Sequence, residues 1–205
     1  MNTVLFRDFV ETDIDSIFRW KNDEKLNSMI VGLWHPFTYE EAANWVYGCM
    51  GEHETYKFWA ICANDEEKKI IGWTSLSKID KLNKTACFNG IVIADPLYRD
   101  GFAWIETYLF VYNYAFEKLQ LDSVYGSALT DHITSQTMRR VMYGRTIELQ
   151  KNAVFRNGKY HDVSKGVLYS KDYFYHKTNG DYTLSSILKR IKTIRKELNS
   201  NNEQN

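Results

Sequence analysis

Apolar and polar positions switch repeatedly between a period of two and a period of three to four, and the switches divide the chain into elements. "TVLFRDFV" has the pattern of a strand. "TDIDSIFRWKND" then puts Ile14, Ile17 and Phe18 on one helical face, with Thr12 or Asp13 as its cap. "GLWHPFTYEEAANWVYGCM" is a loop running into a second helix, opened by a capping box of Thr38 and Glu41. Three strands follow, "YKFWAICA", "KIIGWTSLSKI" and "ACFNGIVIAD". Only the short charged turns "NDEEKK" and "DKLNKT" separate them, which predicts an antiparallel meander. From Ala103 to Leu119 the period becomes helical, with Ile105, Tyr108, Leu109, Tyr112, Ala115, Phe116 and Leu119 on one face. "SVYGSALT" reads as a strand and "DHITSQTMRRVMY" as a helix. Asn157-Gly158, within "IELQKNAVFRNGKYHDVSKGVLYS", signals a tight hairpin between two strands.

The resulting order, β-α-α-β-β-β-α-β-α-β-β, predicts a mixed α+β fold. The strand–helix–strand unit over residues 87–129 should form a right-handed parallel crossover within a mixed sheet. A last helix, "LSSILKRIKTIRKEL", carries an apolar stripe of Leu184, Ile187, Leu188, Ile191, Ile194 and Leu198. Lys189, Arg190, Lys192, Arg195 and Lys196 make its other face basic. Three uses are open for it: docking on its own domain, contact with a second copy or another partner, or binding nucleic acid. The tail "NSNNEQN" should fray.

Composition narrows the class. With 205 residues, 44% hydrophobic and 25% charged, the chain suits one globular domain with a sizeable core. The formal net charge is zero, which argues against sequence-independent nucleic-acid binding. Cys49, Cys62 and Cys87 form no C-x-x-C pair, so they read as buried reduced thiols and no metal site is expected. Acidic residues interrupt the N-terminal segment where a signal peptide needs its apolar run. No apolar run approaches the roughly 18 residues of a membrane span, so a cytoplasmic protein without a membrane partner is expected.

The segment "DPLYRDGFAWIET", Asp95 to Thr107, carries the clearest chemistry. It joins an apolar strand to a helix through Arg99, Asp100, Gly101, Phe102 and Ala103. The first N–H groups of a helix lack internal partners, and the helix dipole adds positive potential there. Such a turn binds phosphate oxygens, Gly101 allows close approach, and Arg99 adds charge. An ordinary strand-to-helix turn is the other reading. The glycine-rich loops of P-loop and dinucleotide-binding proteins are absent.

Taken together, "FRWKND", "SKIDKLNKTACF", "IVIADPLYRDGFA", "NYAFEKLQLDSV", the helix start "HITS" and "FRNGKYHDV" resemble the GNAT acyl-CoA N-acyltransferases in order and spacing. The resemblance is strongest to the branch that acetylates ribosomal-protein N-termini and amino sugars. It covers roughly residues 3–174. It implies a central, mostly antiparallel mixed sheet whose fourth and fifth strands splay apart, flanked by helices. It divides the chain into an acyltransferase domain, residues 1–175, and a C-terminal amphipathic helix with its tail, residues 176–205. It implies acetyl-CoA as co-substrate, without a metal. Main-chain groups of Val92, Ile93 and Ala94 would meet the pantetheine arm, and Arg99 to Ala103 the pyrophosphate. In the family's phosphate pattern, [QR]-x-x-G-x-[GA], Gly101 and Ala103 occupy the two small positions. Tyr98 stands at the first position, unless Arg99 takes that role in a loop one residue shorter.

The resemblance also marks two catalytic candidates. His132 replaces an asparagine that contacts the cofactor; it reads as a substitute contact, as an acid, or as an exposed histidine without a role. Ser135 matches a serine proposed to protonate the departing thiolate, and alternatively caps its helix. The tyrosine acid of many relatives is replaced by Arg139. Asn89 stands where some relatives carry glutamate, and Glu106 should face solvent or pair with a basic side chain. The acceptor should meet Trp20, Asn22, Trp34, His35 and Asn89, although packing in the core is the competing role for each tryptophan. The implied reaction is direct attack of a primary amine on the thioester. Protein N-termini, amino-sugar nucleotides, polyamines and aminoglycosides are all open as acceptors. Rival classes are a non-catalytic acyl-CoA-binding module of the same fold and an adaptor built on the basic terminal helix. A homodimer is compatible with the exposed stripe.

Overall fold

The run "KFWAICA" is apolar throughout because both faces of its strand are covered. Trp59, Ile61 and Ala63 enter one buried cluster, and Ala60 and Cys62 enter another on the opposite face. In this computed structural model, which describes residues 3–202 apart from 29, 33 and 157, with side chains only as far as residue 197, the strand lies inside a seven-stranded sheet. The strands are β1 (Val4–Arg7), β2 (Lys57–Ala63), β3 (Ile70–Asp80), β4 (Thr85–Ile93), β5 (Ser123–Leu129), β6 (Arg145–Arg156) and β7 (Lys159–Tyr169). Their spatial order is β1-β2-β3-β4-β5-β7-β6. Every neighbouring pair is antiparallel except β4 and β5. The meander and the parallel crossover are therefore present as the periodicity predicts. Of the Asn157-Gly158 turn between β6 and β7, Asn157 lies outside the described residues, and Gly158 has φ +76°.

Two helix layers cover the sheet. On one face, α1 (Ile14–Lys21) and α3 (Tyr39–Cys49) bury Ile14, Ile17, Ala42 and Val46. On the other, α4 (Phe102–Asn113), α5 (Ile133–Val141), α6 (Ser170–Thr178) and α7 (Leu184–Asn202) enclose the larger cluster. The long apolar helix after residue 102 ends in a wide turn over Tyr114–Lys118, where the Leu119 N–H donates to the Tyr114 carbonyl at 2.9 Å. The Thr38–Glu41 capping box opens α3 as predicted. Burial pushes the Cys49 thiol up to about 12, so it stays protonated. No described helix is long and apolar enough to cross a membrane.

Three local readings are corrected. Asp13 does not cap α1. Its carboxylate turns back to accept from the Val10 N–H at 3.0 Å and from both Arg7 amino groups at 2.7 and 2.8 Å. Glu106 neither faces solvent nor pairs with a basic residue. Its oxygens accept the backbone N–H groups of Thr3 and Val4 at 2.8–3.1 Å and so fix the edge strand β1. The stripe of α7 is narrower than drawn: Ile187 and Ile194 are buried, Leu184 and Leu188 are exposed, and the side chain of Leu198 lies outside the described residues. Arg190 belongs to the inner side. It lies over the Tyr143 ring and donates to the carbonyls of Val141 and Asp181. Two helices have no sequence reading at all. The short α2 (Glu24–Asn27) forms one turn, and α6 buries a single residue, Tyr173, so neither shows a stripe.

What positions the site is a break between β4 and β5. They pair only from Thr85–Cys87 to Ser123–Tyr125. Beyond that, β4 continues along β3 to Ile93 while β5 follows β7 to Leu129. Opposite Ser75, β4 carries two residues, Asn89 and Gly90, with Gly90 at φ +94°. This bulge turns the strand away, and the Thr74 hydroxyl holds it by donating to the Gly90 carbonyl at 2.8 Å.

Candidate active site

Beyond the break, β4 runs into a short turn, Pro96–Tyr98, started by the Asp95 carboxylate, which accepts the Leu97 N–H at 3.0 Å. Gly101 then adopts φ +105°, ψ −19°, a conformation costly for other residues, and caps α4. The Asp100 carboxylate accepts the Phe102 N–H at 3.0 Å. The amides of Ala103 and Trp104 have no hydrogen-bond partner among the described residues and point from a helix start, where an anion is stabilised. Arg99 is not a free phosphate ligand. Its guanidinium folds back and donates to the carbonyls of Ile93 and Ala94 at 2.9 and 2.6 Å. It therefore braces the strand end, and those two carbonyls are already engaged.

Two cavities meet at the divergence. One, of about 780 Å³, is lined by Val92, Ile93, Ala94, the Arg99–Gly101 turn, Trp104 and His132. The other, of about 680 Å³, is lined by Asn89, Ile91, Val92, Tyr125, Ser127, His132 and Ser135. Val92, Trp104 and His132 belong to both. His132 precedes α5 without capping it, and its Nδ1 lies 2.5 Å from the Ser135 hydroxyl. Burial holds the imidazole below the ordinary histidine value, against the opposing charge of Asp131. It is thus neutral at pH 7 and able to accept a proton. Ser135 is bound to a histidine, not to the backbone as a cap. Arg139 lines neither of these two cavities, and its Nη1 donates to the Ser164 hydroxyl at 2.8 Å. It lies near Tyr108 and Tyr112, whose burial keeps their hydroxyls protonated, Tyr108 with a value pushed up to about 12.

The predicted acceptor residues separate. Asn89 lines the second cavity, tied to Ser75 and Ser77 through its amide at 3.0 Å. Trp20 lines the first and stacks on Trp73. Asn22, Trp34 and His35 line neither cavity. Asn22 bonds the main chain of Phe18 and Phe37, the Trp34 indole donates to the Lys21 carbonyl at 2.7 Å, and His35 contacts the Pro36 carbonyl at 2.9 Å. These bonds help to build the loop after α2. The loop instead offers Ile30, Val31 and Gly32 to the second cavity. Arg156 of β6 secures them by donating to the carbonyls of Asn27, Ile30 and Gly32. The sequence contained the residue, within "FRNGK", but nothing local pairs it with a loop more than a hundred residues earlier. No cluster of three or more potential metal ligands occurs among the described residues.

A central sheet opened by a bulged strand, beside a glycine-capped helix start, is the architecture that the sequence resemblance implies for an acyl-CoA-dependent acyltransferase. The Acetyltransferase (GNAT) domain family matches residues 3–141, and the chain belongs to that family as an acetyl-CoA-dependent N-acetyltransferase. Among solved structures, the spermidine N-acetyltransferase of Vibrio cholerae, in complex with CoA and spermine, superposes with a TM-score of 0.74 at 17% identity, covering 84% of this chain and 98% of that one. A GNAT acetyltransferase from Bacillus anthracis gives 0.68 at 18% identity, covering 83% and 96%. A GCN5-related N-acetyltransferase from Brucella melitensis gives 0.71 at 15% identity, covering 90% and 85%. No curated protein sequence matches the chain.

Proposed function

We propose that acetyl-CoA lies along the larger cavity, with its pyrophosphate at the open amides of Ala103 and Trp104 and its thioester against Val92. The primary amine of a small acceptor then enters through the second cavity. The observation that carries this reading is His132, bonded to Ser135 and lining both cavities. The amine attacks the acetyl carbon, an N–C bond forms and the C–S bond breaks. In the tautomer protonated at Nδ1, His132 takes the surplus ammonium proton at Nε2 and passes its Nδ1 proton to Ser135. Ser135 delivers its own hydroxyl proton to the departing sulfur. One proton enters the relay and one leaves, so the products are the amide and free thiol. Holding amine and thioester in line across the shared wall supplies much of the rate.

The acceptor cavity includes Lys78 and Lys165 and no carboxylate among its described lining residues; Glu148, the partner of Lys165 at 2.9 Å, stands outside it. A polyamine such as the spermine bound by the Vibrio cholerae enzyme would bring further positive charges without a counter-charge. We therefore infer an amine whose remaining groups are neutral or anionic, as in an amino-sugar nucleotide. Thiol release from acetyl-CoA tests this against an amino-sugar nucleotide, a short peptide, an aminoglycoside and spermidine. Turnover is expected with the neutral or anionic amines and none above the blank with spermidine. Spermidine as the best acceptor would overturn the assignment.

A further inference from the structure

Helix α7 lies wholly beyond the matched residues 3–141, yet Ile191 and Arg195 line the same 780 Å³ cavity as Arg99, Asp100 and Gly101. Its placement is fixed. Ile187 and Ile194 are buried in the main cluster, Arg190 donates to the Val141 and Asp181 carbonyls, and Glu197 pairs with Arg140 of α5. Arg195, between two of these anchors, is exposed and makes no ion pair among the described residues.

The charge inventory of the turn gives Arg195 its role. Arg99 is engaged by two carbonyls, and Asp100 places a carboxylate at the helix start. The family's first position, normally Gln or Arg, is Tyr98, whose hydroxyl donates to Asp65. A phosphate entering this cavity therefore meets open amides and a nearby negative charge, with no cation from the turn itself. We propose that Arg195 supplies that cation: the appended helix completes the cofactor site by binding a phosphate of acetyl-CoA. A guanidinium suits this task because its fork matches two phosphate oxygens and it remains charged at any working pH. The inference rests on the placement of acetyl-CoA in this cavity.

The test measures the affinity of the full chain for CoA and for 3′-dephospho-CoA, in the wild type, Arg195→Ala and Arg195→Lys. Arg195→Ala should bind CoA about tenfold more weakly, a loss that shrinks with added salt, and Arg195→Lys should fall between. The melting temperature should hold, since the side chain has no hydrogen bond or ion pair among the described residues. Equal weakening toward both ligands would assign the contact to the pyrophosphate, and weakening toward CoA alone to the 3′-phosphate; either supports the proposal. Unchanged affinity of Arg195→Ala for both ligands overturns it. Failure of the wild type to bind CoA would instead remove the underlying placement of the cofactor.

Discussion

Replacing Gly101 by glutamate is expected to weaken acetyl-CoA binding severely in a chain that still folds. At φ +105° any side chain is strained, by about 1–3 kcal/mol, yet a Cβ there meets nothing within 4 Å, so the strain is local and the variant remains folded. The carboxylate, however, would stand at the helix start beside that of Asp100. There it competes with phosphate for the same amides and repels it. Gly101→Ala separates the two contributions: it carries the strain without the charge and should lose far less affinity. We expect the glutamate variant to bind at least about a hundredfold more weakly, the equivalent of about 2.8 kcal/mol. Titration of acetyl-CoA against each variant, with the melting temperature as the control for folding, reads the result. Wild-type affinity in a folded Gly101→Glu variant would move the phosphate site elsewhere.

Ser135→Ala and His132→Ala should each keep cofactor affinity within a few fold and lose roughly 10²-fold in kcat, the size expected when a proton donor to a leaving group is removed. Because the two groups act as one relay, the double variant should fall little further than either single one. The pH profile gives the sign. Burial keeps His132 below its ordinary value, so it is neutral and competent at pH 7, and activity declines as pH falls through that lowered value. In His132→Ala this histidine limb disappears and only the ionisation of the amine remains. Full activity in both single variants would place proton transfer with water.

The strand–turn–helix unit around Gly101 was legible because its signals are local: an apolar run, a proline, a glycine and then a helical period. So was the sheet order through the meander, since short charged turns leave antiparallel pairing as the simple outcome. The role of Arg99 was not legible. Its charge suggested a phosphate, but its partners are carbonyls that reach it only once the turn folds back. Asn22, Trp34 and His35 are near the acceptor side in sequence but line neither cavity, because their side chains bond the main chain around the loop that carries Ile30, Val31 and Gly32. Arg156, which holds the loop of Ile30 and Gly32, and Arg195, which lines the first cavity, come from elements far along the chain, and only tertiary packing brings them there. The helices α2 and α6 escaped periodicity because each buries one residue.

The proposed placement of acetyl-CoA, in the opening between β4 and α5 with its phosphates at the start of α4, carries the mechanism. Amide hydrogen exchange of the full chain, with and without CoA, tests this most directly, because the Ala103 and Trp104 amides have no hydrogen-bond partner among the described residues. CoA is expected to slow exchange at residues 101–104 and along 91–94, with little change in α3, which lines neither cavity. Binding that leaves residues 101–104 unprotected while protecting another region would contradict it.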